Sequence, residues 1–394
     1  MKEFCILLIF SESLLLSCKR SSQHGDSLQD IVKYYVDIEK SISNTKSIPL
    51  SLVGQEIEFI PLETNPNCLL KNIRQIALSD SFIFVCDINK LLQFDRYGRF
   101  IRQIGSQGRG PEEYPGIWDF SIDKKSKTIF IANTMMDKIM IFDFDGNFKK
   151  SSRLSFKPYS FILLSRDSLM FHSNNSPRPA IDMNPVYSWY ITNAEGANLI
   201  KFKNNLKRVT TPGFSVPETP LYIFEDEAHF MEFGIDTLYT FYHSGKKTYA
   251  VFNFGDIKMD IDPDISDKVL VDELNQKFWI LSIQEDNENM YINIVKGLGG
   301  PLFSCLFRKQ DSEVIILENN SFFNDLCGEI PFWPKKIIND SLLIDYIEAL
   351  RLLNFIEKSQ QDTSLITNGI NRCQLKELKD KITVTSNPVL VMVK

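Results

Sequence analysis

The chain has 394 residues, 43% of them hydrophobic, so it is long enough to bury one large core or several smaller ones. Its formal charge of −6 and the lack of a clustered basic stripe exclude a typical nucleic-acid-binding protein. With 4 His and no closely spaced cysteine pair, the sequence predicts no metal site and no redox motif, and nothing in it predicts a cofactor.

The first residues are typical of an export signal rather than of a folded domain. Lys2 precedes the apolar runs Phe4–Phe10 and Leu14–Leu16, which are too short for a membrane span. The sequence Leu15-Leu16-Ser17-Cys18 resembles a bacterial lipobox, whose cysteine becomes lipidated. We predict a signal peptide over residues 1–17 and a membrane anchor at Cys18, on the periplasmic side or the outer-membrane surface. A cleaved signal with an incidental cysteine is the alternative.

Residues 18–50 are interpreted as a tether and lead-in. The spacing of Leu28, Ile31, Tyr35, Ile38 and Ile42 suits a short amphipathic helix, and an extended segment fits the β-branched content almost as well. From Ile57 onward the apolar residues alternate, which predicts strands.

An internal repeat decides the fold class. The motif Phe-Asp-x-x-Gly-x-Phe occurs with Gly98 and again with Gly146, 48 residues later, and a weaker copy places Gly196 another 50 residues on. Each copy is preceded by short alternating runs. A period near 48 with about four strands per copy predicts an all-β, six-bladed β-propeller over residues 51–394.

The later blades are less regular in sequence. Runs over residues 230–254 predict a fourth blade, and runs over 278–307 predict a fifth. Val314–Leu317 and Ser341–Ile344 are predicted to begin the sixth, followed by a helical insertion over about 345–382. The final strand Pro388–Val393 is predicted to pair with Ile57–Leu62 and so close the ring.

Seven segments form a set that points to a known family: Val36–Lys40, Ile57–Thr64, Gln93–Gly105, Gly108–Tyr114, Asp236–Tyr239, Phe252–Gly255 and Asn387–Leu390. Together they resemble the six-bladed β-propeller lipoproteins of gut Bacteroidota, with blades similar to the NHL repeat. The resemblance covers residues 30–394 and implies the propeller fold and the cell envelope, with no catalytic residues to carry over.

Two glycine-containing motifs invite functional interpretations. The spacing Gly105-x-x-Gly108-x-Gly110 is not the dinucleotide fingerprint, and strands follow it, so we interpret it as a link between blades. The Asp-x-Asp-Gly sequence at Asp143–Gly146 is interpreted as a hairpin turn rather than a calcium loop, since no helices flank it. An acidic cluster at residues 256–267 is interpreted as a connecting loop.

The candidate ligand-binding residues lie on the link between the first two blades. In propellers such links lie on the face where ligands usually bind, and charged and aromatic side chains can hold a sugar by hydrogen bonds and stacking. The candidates are Arg109, Glu112, Tyr114 and Trp118, with His172 as a further residue directed at the channel. Packing between blades is the alternative role for the two aromatic residues, and a structural role is the alternative for His172, His229 and His243.

The sequence therefore predicts a monomeric, envelope-tethered propeller that binds a glycan or a protein and carries out no catalysis. Two alternatives stay open. A propeller enzyme, such as a carbohydrate lyase, hydrolase or lactonase, would place titratable groups with shifted pKa values around the channel. A scaffold subunit of an outer-membrane complex would expose a large apolar patch.

Overall fold

The computed structural model describes residues 32–133, 135–165, 167–173, 187–203, 219–242, 245–259, 267–328, 330–361 and 369–394. Cys18 and His243 lie outside this part of the chain, as do three of the five aspartates of the acidic cluster. Among the described residues, no helix is long and apolar enough to span a membrane.

Six small antiparallel sheets form the blades of a propeller, as the repeat predicts. Side chains alternate between the two faces of each strand, and the apolar ones pack between neighbouring sheets. From the innermost strand outward, the blades are blade 1 (Gln75–Leu78, Phe82–Cys86, Leu91–Asp95, Phe100–Ile104), blade 2 (Asp119–Asp123, Thr128–Asn133, Lys138–Asp143, Phe148–Arg153), blade 3 (Ser160–Ser165, Ser168–His172, Tyr187–Asn193, Asn198–Lys203), blade 4 (Leu221–Phe224, Glu227–Met231, Thr237–Tyr242, Gly245–Asn253), blade 5 (Phe278–Glu285, Asn289–Lys296, Leu302–Arg308, Glu313–Leu317) and blade 6 (Lys336–Ile338, Leu342–Ile347, Val389–Val393, Ile57–Pro61).

The ring is closed by strands from both ends of the described chain. Val389–Val393 pairs antiparallel with Ile57–Pro61 inside blade 6, which confirms the predicted closure. The prediction for Val314–Leu317 was wrong, because this segment pairs with Leu302–Arg308 and completes blade 5. A buried apolar run identifies a strand but not the sheet that the strand joins.

From Val32 onward, the lead-in contains short strands rather than the amphipathic helix, and its earlier residues Leu28 and Ile31 lie outside the described part of the chain. Tyr34–Asp37 adds a parallel strand to the outer edge of blade 4, and Thr45–Lys46 does the same for blade 5. Outer edges offer unpaired backbone groups, and these two segments cover them. Short 3₁₀ helices follow at Leu50–Leu52, Gly255–Ile257 and Glu318–Asn320.

The repeated motif forms the same hairpin in blades 1, 2 and 3. Gly98, Gly146 and Gly196 have φ values of 81°, 83° and 81°, a backbone conformation that favours glycine. The residue that ends the preceding strand stabilises each turn, since Asp95 Oδ1 accepts hydrogen bonds from the amides of Tyr97 and Arg99. Asp143 and Asn193 make the equivalent pairs of bonds, which confirms the hairpin interpretation of Asp143–Gly146.

Three helices interrupt the strands in the described residues. Helix α1 (Asp267–Gln276) precedes blade 5 and begins at the last residue of the acidic cluster, and the sequence did not predict this helix. Helices α2 (Ala349–Gln361) and α3 (Gly369–Lys381) form the predicted insertion between the second and third strands of blade 6. Their apolar residues, among them Leu352 and Leu378, pack into the cluster that joins blades 5 and 6.

The order of strands within a blade defines two faces of the ring. We call the loop face the one that carries the links from the outermost strand of one blade to the innermost strand of the next. It also carries the connections between second and third strands, including α2 and α3. The turn face carries the short hairpins, including the turn at Gly98.

Candidate functional site

The glycine-rich link is held by its own side chains. The amide of Gly110 donates to Glu113 Oε2 at 2.8 Å, and the amide of Gly108 donates to the Tyr114 carbonyl at 3.0 Å. A Cβ atom at Gly108 would lie 1.9 Å from Glu113 Oε2, so a larger residue there would displace the Glu113 carboxylate. These contacts fit the link interpretation, because the glycine amides bond to the protein itself rather than pointing into an open phosphate-binding loop.

The four predicted residues of the link occupy different environments. Arg109 and Glu112 are exposed on the loop face. Tyr114 is fully buried among residues of blades 1 and 2, and its hydroxyl donates to the Ile104 carbonyl at 2.6 Å. Burial raises the pKa of Tyr114. These contacts give Tyr114 the packing role that the sequence left open, and its ligand-binding role stays a prediction.

Trp118 belongs to a group of three side chains at the mouth of the channel, which we call the rim cluster: Arg74, Trp118 and Tyr159. The Arg74 guanidinium lies 4.3 Å from the centre of the Trp118 ring, and the Tyr159 ring meets Trp118 edge-on at 5.1 Å. Arg74 is exposed, whereas Trp118 and Tyr159 are half-buried. The cluster therefore presents a cation on an aromatic support.

The rim cluster comes from equivalent positions in three consecutive blades. Each residue directly precedes an innermost strand, and each backbone amide donates to the last or the second-to-last residue of the second strand of its own blade. The acceptors are the carbonyls of Cys86, Ala132 and His172, at 2.8, 3.3 and 2.9 Å. The propeller repeat thus brings together residues that are far apart in sequence, and only Trp118 was predicted.

Polar side chains tie the innermost strands to one another below the rim. Gln75 of blade 1 bonds both the carbonyl and the amide of Phe120 in blade 2, at 2.8 and 3.1 Å. Asp119 of blade 2 accepts from the Phe161 amide of blade 3 at 2.7 Å. These bonds fix the spacing of the blades and hold the rim cluster in place.

Lys336 is the first residue of the innermost strand of blade 6. Burial lowers the pKa of its ammonium group, and the nearby negative charge of Asp119 opposes that change. Because Asp119 starts the innermost strand of blade 2, the channel brings together an acid and a base from non-adjacent blades. Among the described residues, no group of acidic, histidine or cysteine side chains is suited to hold a metal ion.

The two described candidate histidines are buried in separate blades. His172 is 4% exposed, its ring lies 4.7 Å from that of Trp189, and burial lowers its pKa to about 4. His229 contacts Thr240 Oγ1 at 3.1 Å, and burial together with the charges of Lys309 and Lys33 lowers its pKa to about 3. Both are therefore neutral near pH 7. The channel-directed role of His172 stays a prediction.

A second buried group lies between blades 4 and 5, and we call it the Glu285 network. Lys309 Nζ is 2.7 Å from Glu285 Oε1, and the hydroxyls of Tyr222 and Tyr249 donate to the two carboxylate oxygens at 2.6 Å each. Burial raises the pKa of Glu285, against the effect of Lys309. Both oxygens are satisfied, so the network joins the blades and offers no open binding position.

Comparisons with known proteins agree with the architecture. The sequence profile of the family described as a domain of unknown function, DUF4934, matches residues 33–394. No curated protein matches the sequence. A crystal structure from Bacteroides fragilis, described as a candidate exported protein, is similar with a TM-score of 0.69 and 17% identity, covering 91% of this chain and 98% of the other. A duf4221 family member from Bacteroides vulgatus has a TM-score of 0.47 and 11% identity, covering 67% of this chain and 84% of the other.

Proposed function

The chain belongs to the DUF4934 family, and we propose that it is an exported, non-catalytic binding protein that recognises an acidic glycan on the loop face. The rim cluster carries this proposal. A guanidinium stacked on an aromatic ring is restricted in orientation and keeps its positive charge at the mouth of the channel. The planar fork of an arginine matches a carboxylate or sulfate group.

The surroundings of the cluster support the same ligand class. Lys336 adds a second cation at the channel, and Arg109 adds a third on the link that also carries Trp118. Trp118 and Tyr159 supply apolar ring surface for the faces of the sugar rings. Since the whole chain is acidic, attraction of an anionic glycan has to be local to these residues.

Export and anchoring are part of the proposal. The lipobox-like sequence ending at Cys18 supports a lipid anchor, and the similar structure from B. fragilis is described as a candidate exported protein. A lipidated cysteine would hold the propeller at the cell envelope, where extracellular glycans arrive.

Titration calorimetry with the soluble 19–394 fragment tests the binding. We expect oligogalacturonate or a heparin oligosaccharide to bind and neutral cellohexaose to bind at least tenfold more weakly. Arg74→Met and Trp118→Ala should each weaken the acidic ligand about tenfold or more. Arg99→Met is the matched control, because Arg99 lies 5.7 Å from the Tyr97 ring on the turn face and should not affect binding.

Equal binding of acidic and neutral glycans, or an unchanged affinity in both rim variants, would contradict the proposal. A different result would be that no glycan binds and that one envelope protein is captured reproducibly, in a way that depends on Arg74 and Trp118. That result would show that the loop face binds a protein rather than a glycan.

One observation favours a second candidate function, a propeller enzyme. Lys336 combines a lowered pKa with a place on an innermost strand near Asp119, and a lysine of lowered pKa can act as a base or nucleophile. Turnover of a lactone or an acidic glycan that is abolished in Lys336→Met and also in Lys336→Arg would establish this function. Binding without turnover supports the first proposal.

A further inference from the structure

A narrow pocket opens on the loop face between blades 4 and 5, and we call it the inter-blade pocket. Pro220, the blade 4 counterpart of Arg74, lies on one side, and the start of the innermost strand of blade 5 forms the other. Most of the lining is apolar and includes Met231, Phe254, Met259, Phe278, Trp279 and Ile280. One ion pair also lines the pocket, with Lys258 Nζ 4.0 Å from Asp236 Oδ2.

Helix α1 gives the pocket a solid back wall. Leu270 and Leu274 of α1 are buried against Trp279, Phe233 and Met259 in one cluster. Trp279 is 8% exposed, so its ring is fixed by packing on the side away from the opening. A pocket with such a wall is preformed and does not need a ligand in order to take shape.

The pocket contains a carboxylate that is only half satisfied. Glu232 is 3% exposed, and its Oε2 atom has no hydrogen-bond partner among the described residues. A buried carboxylate oxygen normally accepts at least one hydrogen bond, because removing it from water is costly. The Thr219 hydroxyl and the Trp279 indole N–H also line the pocket, and neither has a hydrogen-bond partner among the described residues.

Glu232 is the group that sets this pocket apart. All four indole N–H groups of the chain lack a described partner, so Trp279 alone would indicate nothing. The other oxygen of Glu232, Oε1, accepts a bond from Lys246, whose ammonium lies 4.0 Å from the centre of the Tyr239 ring. The carboxylate is thereby held in one orientation, with the second oxygen as a fixed acceptor.

The charge balance determines which donor suits that acceptor. Lys246 already neutralises Glu232, and Lys258 balances Asp236, so a cationic ligand would leave a net positive charge in a mostly apolar pocket. A neutral O–H or N–H donor completes the hydrogen bonding without adding charge. The indole N–H and the threonine hydroxyl can then bond an acceptor on the same ligand.

We infer that the inter-blade pocket binds a small neutral molecule with an apolar ring and a hydroxyl or N–H donor, held by Glu232, Trp279 and Thr219. This site is separate from the rim cluster and does not depend on the proposed glycan binding. Its ligand differs in size and polarity from a glycan chain.

Fluorine NMR of the full chain labelled with 5-fluorotryptophan tests the inference, using phenol, toluene and benzylamine as probes. We expect phenol to shift the Trp279 resonance and to bind about tenfold more tightly than toluene, which has the same ring without a donor. Benzylamine should bind more weakly than phenol. The three other tryptophan resonances report that the fold is intact.

Substitutions separate the polar contacts from simple apolar filling. Glu232→Leu should remove the preference for phenol over toluene, and Trp279→Phe should weaken phenol binding severalfold, observed then through an added trifluoromethylphenol. Trp333→Phe is the matched control, since Trp333 is also 8% exposed and has an unpartnered indole, but lies in the cluster between blades 5 and 6. It should leave binding unchanged.

Lys246→Met provides a second route that leaves Glu232 in place. The variant exposes the uncompensated carboxylate charge, so the preference should reverse from phenol to benzylamine. Equal binding of phenol and toluene, absence of phenol binding in the folded protein, or an unchanged preference in Lys246→Met would each overturn the inference.

Discussion

Glu285 and Glu232 are two glutamates at the junction of blades 4 and 5, and both are 3% exposed and paired with a lysine. Glu285 also accepts bonds from two tyrosine hydroxyls, so both of its oxygens are used. Glu232 has one oxygen bonded to Lys246 and the other without a described partner. Burial and charge are the same in both places, so neither property indicates function. What distinguishes the pocket is the unused oxygen.

The lysines offer the largest test of this difference. Lys309 is 7% exposed, so Lys309→Met leaves a buried charge uncompensated and should lower the free energy of unfolding by about 3–5 kcal/mol. Lys246 is 33% exposed, so water can reach Glu232 in Lys246→Met and the loss should be about 1 kcal/mol. Urea unfolding of both variants measures the contrast, and equal losses would contradict it.

Acid should weaken the Glu285 network through His229, whose ring stacks on Tyr222. The pKa of His229 is lowered to about 3, from an ordinary value near 6.5, so the unfolded chain takes up the proton first. Stability is therefore lost as the pH falls from about 6.5 toward 3, by about 2–3 kcal/mol at pH 4.5.

The measurement is the difference in urea unfolding between pH 7 and pH 4.5, in the wild type and in His229→Gln. The variant should lose about 2 kcal/mol less over this range. The comparison with the variant is needed because two other groups change the stability over the same pH range. The lowered pKa of His172 also decreases stability as the pH falls, whereas the raised pKa of Glu285 increases it. Identical pH dependence in both proteins would show that His229 is protonated in the folded state.

Tyr249→Phe should have an intermediate effect, because it removes one hydroxyl donor while Lys309 still compensates the carboxylate. We expect a loss of about 1–2 kcal/mol in the free energy of unfolding. Tyr35→Phe, at a side chain that is 57% exposed, is the control and should change it by less than about 0.5 kcal/mol. A loss as small as that of the control would mean that water replaces the tyrosine in the network.

Tyr239→Leu should have the smallest effect on stability. It removes the ring beneath Lys246 and leaves the ion pair with Glu232, so we expect about 0.5–1 kcal/mol. Phenol titration of the same variant checks whether Lys246 still holds the carboxylate. A loss of phenol binding larger than the loss of stability would show that Tyr239 positions Glu232 for its ligand.

The architecture was predictable because the repeat has a physical cause. Asp95, Asp143 and Asn193 each stabilise the same turn, and the glycine that follows needs a positive φ, so the same residues recur at the blade period. Val314–Leu317 was assigned to the wrong blade, since its apolar pattern is satisfied equally well in either sheet. Helix α1 is polar and short, and it owes its place to packing on Trp279.

The sites were less predictable, because their residues meet only through the tertiary fold. Trp118 was identified from the composition of one link, whereas Arg74 and Tyr159 look ordinary in their own segments. The three residues share one feature in the sequence, because each directly precedes an innermost strand. That feature can be used only after the innermost strands have been identified. No local pattern distinguishes Glu232 from Glu285, because an unpaired oxygen is a property of the surroundings rather than of the sequence.

The pairing of Ile57–Pro61 with Val389–Val393 affects the order in which the molecule can be completed. Ile57–Pro61 is synthesised before every blade and waits for Val389–Val393, which follows all the other strands, and Tyr34–Asp37 likewise waits for blade 4. Blades 1, 2 and 3 can each form from neighbouring segments, whereas blade 6 combines segments that the other five blades separate in sequence. The ring therefore stays open until Val389–Val393 is made, and a chain truncated before Val389 would lack the strand that closes it.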